Sequence, residues 1–134
     1  MTDSLLAGGL VGSSGKVFCI DFTQAMLDQA ERNIEEYTET VKDLFPSSFQ
    51  FLRKSIDQPD ELFSCTKIGS LQRSIADRVI SNGVKNLCTQ KENAFRTAFE
   101  LLKPGGIFLL SDLCVVDENR NVEISCTIGD ATTS

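Results

Sequence analysis

The sequence predicts an α/β fold built on a mostly parallel sheet. Short β-rich runs alternate with stretches of helical periodicity along most of the chain, the pattern of parallel strands joined by right-handed crossovers. The first run stops at an acid, Asp21, where a strand of such a sheet would meet the ligand-bearing edge. A chain of 134 residues that is 41% hydrophobic is long enough for one core and short for two.

Lys16 to Ile20, bounded by "GSSG" and Asp21, reads as a buried parallel strand. Thr23 can cap the helix that follows. Met26, Ala30, Ile34, Tyr37 and Val41 recur as one apolar stripe of a helix ending before Pro46. "FQFLRKSI", Phe49 to Ile56, alternates well enough for a second strand, closed by "DQPDE". Leu62 to Ser74 fits no single pattern. "ADRVISN", Ala76 to Asn82, reads as a third strand. Phe95, Ala98, Phe99 and Leu102 then mark a second amphipathic helix stopped by "KPGG", and "IFLLSDL", Ile107 to Leu113, is a fourth strand. The tail, Val115 to Ser134, holds one plausible strand, Val122 to Ile128.

Composition narrows the chemistry. A net charge of -6 with no basic run argues against nucleic acid or an anionic membrane surface, because phosphate contacts need clustered Lys and Arg. Small neutral or cationic ligands fit better. No stretch approaches a membrane span, and "MTDSLLAGGLVG" has an acid where a secretory signal carries positive charge; the expected location is cytoplasmic. The five cysteines are scattered without a C-x-x-C pair, as for free thiols in a reducing compartment. Histidine is absent, which removes an imidazole base, a Ser-His-Asp triad and any imidazole-based zinc site. No metal site is expected.

A carboxylate at Asp21 can accept hydrogen bonds from both hydroxyls of a ribose. By itself it does not choose between a nicotinamide cofactor and S-adenosylmethionine, and a capping or solvated acid is the plain alternative. Asp57 closes the second strand and could accept from an adenine amino group while the Ile56 backbone pairs with the ring. Its plain alternative is a turn acid in "DQPDE". Asn82 ends the third strand, where its backbone could face a cofactor's amino-acid portion.

Together these stretches resemble the class I S-adenosylmethionine-dependent methyltransferases. "GKVFCIDFTQAMLDQA" is similar to that family's second strand and helix, "ADRVISNGVKNL" to its fourth strand and loop, and "AFELLKPGGIFLLSDL" to the following helix, turn and strand. Within the class, "SNGVKNLCTQKE" and "SCTIGDA" look most like the arsenite methyltransferases. The resemblance implies a Rossmann-like sheet, S-adenosylmethionine as cofactor, and methyl transfer to a small soft nucleophile, arsenite first. It places Asp21 at the ribose, Ile56 and Asp57 at the adenine and Asn82 at the methionine side, with Phe22 also among the cofactor-binding residues. Cys126 is implied as the substrate thiolate.

Two departures stand against it. The family's acid-x-Gly-x-Gly loop has no counterpart, and "TDSLLAGGLVGSSGKV" resembles only the end of the helix that should follow. The glycines of "LAGGLVG" precede a strand rather than follow one, and read as turn residues. The expectation is therefore one partial domain over 1–134, with a core of 1–113, an extension of 114–134, and a sheet incomplete at both ends. Such a chain should bind the cofactor weakly or not at all by itself. Secondly, arsenic(III) is held by several thiolates, yet Gly83 stands where arsenite enzymes usually carry a cysteine. Cys88, on the same loop, is the alternative thiol.

Methyl transfer to a soft nucleophile needs alignment more than a strong base, so a chain without histidine is compatible with it. Three competing readings remain: a catalytically inactive methyltransferase fragment or binding module, a methyltransferase of another small molecule, and a nicotinamide-dependent oxidoreductase.

Overall fold

The computed structural model describes residues 2–64, 71–83 and 88–113. It divides into two compact units, 1–55 and 56–134. In each, two parallel strands are connected through a helix, so the alternating α/β pattern is realised twice.

The first unit contains α1 (Thr2–Val11), β1 (Val17–Asp21), α2 (Gln24–Thr38) and β2 (Phe49–Arg53). β1 and β2 pair in parallel from Val17↔Phe49 to Asp21↔Arg53. The expected strand to Ile56 ends three residues early, because β1 has only five residues to pair with. Cys19, Leu27, Ile34, Leu44 and Phe49 form the core, with Leu5, Val17 and Phe51 packed against it.

α2 begins where Thr23 takes the capping position with extended backbone, but its hydroxyl makes no capping bond. The buried face is Leu27, Ala30 and Ile34. Ala30 and Ile34 belong to the expected stripe, whereas Met26 and Tyr37 are nearly half exposed and Val41 lies beyond the helix. Neighbouring helical residues point about 100° apart, so centring the stripe on Leu27 turns Met26 to the flank.

The glycines of "LAGGLVG" are not all turn residues. Gly8 and Gly9 lie inside α1, and only Gly12, at φ +66°, ends it in the left-handed region. Gly8 is required by contact: a Cβ there would lie 2.1 Å from Phe49 Cζ and 3.0 Å from Leu44 Cδ1, while one on Gly9 would meet nothing within 4 Å. Glycine to alanine in a helix ordinarily stabilises by about 1 kcal/mol, so the two sites should differ in sign. Gly9→Ala is expected to raise the urea midpoint, and Gly8→Ala to lower it by an overpacking cost of about 1–3 kcal/mol. Equal shifts would contradict the packing of α1 on Phe49.

The second unit contains α3 (Pro59–Leu62), β3 (Ala76–Asn82), α4 (Lys91–Leu101) and β4 (Leu102–Ser111). β3 has the expected bounds. α4 buries Ala94, Thr97, Ala98 and Leu101, while Phe95 and Phe99 of the expected stripe are exposed. Small residues let α4 approach its neighbours, and the Phe95 ring, though exposed on one side, meets Phe108 of β4 edge-on with centroids 6.1 Å apart.

"KPGG" stops α4 as expected but starts β4 rather than preceding it. Leu102 pairs with Ala76, and the register then jumps so that Arg78 faces Ile107. The extra residues are absorbed at Gly105, at φ +82°. At Gly106 a Cβ would lie 2.8 Å from Leu102 Cδ2. The extension from 114, with the Val122 to Ile128 strand, lies outside the described residues, as does 65–70 of the stretch that fitted no pattern.

Candidate functional site

The carboxyl end of β1 is a corner held by backbone hydrogen bonds. Asp21 C=O accepts from the Lys54 amide at 3.0 Å, which is the last rung joining β1 to β2. The chain then turns through Phe22 into α2. The Thr23 amide donates to Asp21 Oδ1 at 2.8 Å, a side-chain-to-backbone turn two residues long. Arg53, opposite Asp21 in the register, donates from Nε to Phe22 C=O at 3.2 Å. Asp21 is half-buried, and its Oδ2 accepts nothing from the described residues. Phe22 projects beside it, 61% exposed.

Asp21 thus combines two of the roles open to it. One oxygen shapes the entry to α2, and the other is an acceptor with capacity for a hydroxyl donor. Arg53 and Lys54 are parts of this corner that the strand pattern alone did not mark. Extending the alternation of "FQFLR" against β1 would have placed Arg53 opposite Asp21.

Ile56 and Asp57 lie in the second unit, just past the boundary between the two. Asp57 is buried, 7% exposed, and its Oδ2 accepts from Thr89 Oγ1 at 3.1 Å and from the Gln90 amide at 3.4 Å. It therefore anchors the residues that lead into α4, and its negative charge lies toward the positive end of that helix. Thr89 and Gln90 carried no signal in the sequence beyond their place before a helix.

Asn82 is exposed at the end of β3, opposite Ser111. Gly83 continues the ladder by donating to Ser111 C=O at 2.8 Å, and then turns the chain at φ +69°. Next to Asn82, Ser81 Oγ is buried and has no hydrogen-bond partner among the described residues. Each unit taken by itself thus has, at a strand end, a polar side-chain atom with no partner among the described residues, Asp21 Oδ2 in the first and Ser81 Oγ in the second.

The thiols divide differently. Cys19 lies in the core, and burial pushes its pKa up against smaller opposing effects from a Ser4 hydrogen bond and the N-terminal charge. A buried thiol of this kind is a small apolar side chain rather than a soft ligand. Cys88 is half-buried and not disulfide-bonded. Cys126 lies outside the described residues. Among the described residues, a Cβ on Gly83 would meet nothing within 4 Å.

A family profile described as "Methyltransferase domain" matches residues 2–132. Arsenite methyltransferase of Rattus norvegicus is 31% identical over 111 residues, covering 83% of this chain and 28% of the relative. The ubiquinone/menaquinone biosynthesis C-methyltransferase UbiE of Cronobacter sakazakii is 33% identical over 109 residues, covering 75% and 34%. Among solved structures, CrArsM, an arsenic(III) S-adenosylmethionine methyltransferase from Chlamydomonas reinhardtii, superposes with a TM-score of 0.64 at 31% identity, over 77% of this chain and 32% of that one. The chain spans about a third of the length of these relatives.

Proposed function

Because the chain belongs to the methyltransferase-domain family, in its class I S-adenosylmethionine-dependent form, we propose that it serves methyl transfer to a small soft nucleophile, arsenite first. The observation that carries this reading is the Asp21 corner, a half-buried carboxylate at a strand end with one oxygen bound to Thr23 and the other unused. S-adenosylmethionine supplies, when bound, a methyl group on a positively charged sulfur. Asp21 Oδ2 accepts from the ribose hydroxyls, with Phe22 as an apolar flank. Ile56 and Asp57 serve the adenine through backbone and carboxylate, and Asn82 the methionine side. Cys126 is the thiolate proposed to hold the acceptor. A soft nucleophile with an available lone pair needs no base, and the chain has no histidine to supply one.

Among the described residues no helix is long and apolar enough to cross a membrane. A small-molecule acceptor handled in the cytoplasm, without nucleic acid or membrane as partner, is part of the same reading. So is the organisation of 1–134 as one partial domain with its core in 1–113. A second reading, methylation of another small molecule, draws support from the likeness to UbiE and from glycine at position 83.

The cofactor assignment is tested by ligand-observed NMR on the chain with S-adenosylhomocysteine and NAD. Saturation transfer to the first and not the second is the expected result. NAD binding without S-adenosylhomocysteine binding would replace the reading with the oxidoreductase one, and binding of neither leaves a silent module. For the acceptor, Gly83→Cys is expected to raise arsenite retention measured by arsenic mass spectrometry after gel filtration, since it adds a soft ligand. The left-handed backbone at 83 should cost that variant about 1–2 kcal/mol of stability, which Gly83→Ala measures separately. If the cysteine adds no arsenite binding, the second reading is favoured.

A further inference from the structure

We propose that Arg53 is a positioning residue for the Asp21 carboxylate and acts through one peptide group. The proposal rests on the reading of Asp21 as the ribose contact. The Phe22–Thr23 peptide is gripped at both ends: its carbonyl accepts from Arg53 Nε at 3.2 Å, and its amide donates to Asp21 Oδ1 at 2.8 Å. A trans peptide is planar, with its C=O and N–H directed oppositely, so the two bonds form or break together as the plane turns. Phe22 lies beyond the last rung of the ladder, which ends at the Lys54 amide on Asp21 C=O. Among the described residues, the Arg53 side chain supplies the donor that its carbonyl would otherwise lack.

The consequence for the site is directional. With the plane held, Oδ1 is committed to Thr23, and Oδ2 is the oxygen left for a ligand. A charged donor on the carbonyl also polarises the peptide and strengthens its amide as a donor. Arg53 forms no ion pair with Asp21, so its influence runs through the peptide rather than through direct attraction. The register sets this up, because Arg53 is the β2 residue opposite Asp21.

The test uses two readouts on the full chain, one of them independent of any ligand. In Arg53→Met, the Thr23 amide should exchange its hydrogen roughly fivefold faster or more, as a residue whose local bond has been released. The preference for adenosine over 2′,3′-dideoxyadenosine, measured by ligand-observed NMR, should fall from about tenfold toward parity. Loss of packing alone would weaken both nucleosides alike and leave the ratio unmoved. Lys54 belongs to the corner only through its backbone amide, so Lys54→Met, which keeps that bond and removes a neighbouring charge of the same sign, should change neither readout. Unaltered Thr23 exchange in Arg53→Met, or an equal effect from Lys54→Met, overturns the proposal. If Thr23 responds as expected but the wild-type chain does not prefer adenosine, the positioning role of Arg53 stands and the ribose reading of Asp21 falls.

Discussion

Asp21→Ala is expected to weaken S-adenosylhomocysteine binding at least tenfold. A hydrogen bond to a charged group contributes about 1.5–3 kcal/mol, and a tenfold change corresponds to about 1.4 kcal/mol, so losing even one ribose bond reaches that level. Asp21→Asn separates the two duties of the residue. Its amide oxygen can still accept from Thr23, preserving the turn into α2, but the charge and the second acceptor are lost. Binding should therefore remain weak in Asp21→Asn, while its melting curve stays closer to wild type than that of Asp21→Ala. Calorimetry that finds wild-type affinity in the asparagine variant would make Asp21 a turn residue and remove the observation on which the cofactor site rests.

The ends of β1 and β3 were legible because in each a β-rich run is stopped by a polar residue, which marked Asp21 and Asn82 within a residue of the observed ends. β2 and β4 instead end before the expected Ile56 and Leu113. Helix faces were harder. Met26 and Leu27 are both apolar, and spacing alone allowed a stripe through either; contact with the sheet selects Leu27. In α4 the large rings looked like the natural core, yet the buried side is Ala94, Thr97, Ala98 and Leu101. A close interface favours small residues, which carry a weaker hydrophobic signal than Phe95 and Phe99.

The site shows the same division. Residue types at strand ends suggested which side chains hold polar groups, but not what else those side chains do. That Asp57 binds Thr89 and Gln90, more than thirty positions away, depends on where α4 begins relative to a loop. The link from Arg53 to Asp21 depends on register and on the orientation of one peptide plane. Neither quantity has a residue-type signature, and Gly83 reads in the sequence only as a missing cysteine, whereas its backbone is left-handed, a conformation that suits glycine.

Residues 1–134, isolated, are expected to be marginally stable or prone to self-association. Parallel strands are ordinarily covered on both faces, but the described residues form two two-stranded parallel sheets, and each strand of such a pair has one edge without a ladder. In the second unit Ile80, Leu109 and Leu110 are each at least 41% exposed, an apolar surface next to unpaired backbone. Two-stranded sheets have little independent stability, and an open apolar edge is a template for pairing with another chain. Covering a few such side chains contributes roughly 2 kcal/mol each, so leaving them in water removes an appreciable part of the 5–15 kcal/mol or so that a domain has in total. A broad thermal transition, a midpoint below about 55 °C and a sedimentation coefficient that rises with concentration are the expected results. Ile80→Lys and Leu109→Lys should suppress the association, since a charge on an edge strand blocks pairing, without raising the melting midpoint. A monomer with one sharp transition above about 55 °C would mean that the exposed faces of β3 and β4 cost the chain nothing, and that its stability comes from contacts other than those of the two sheets.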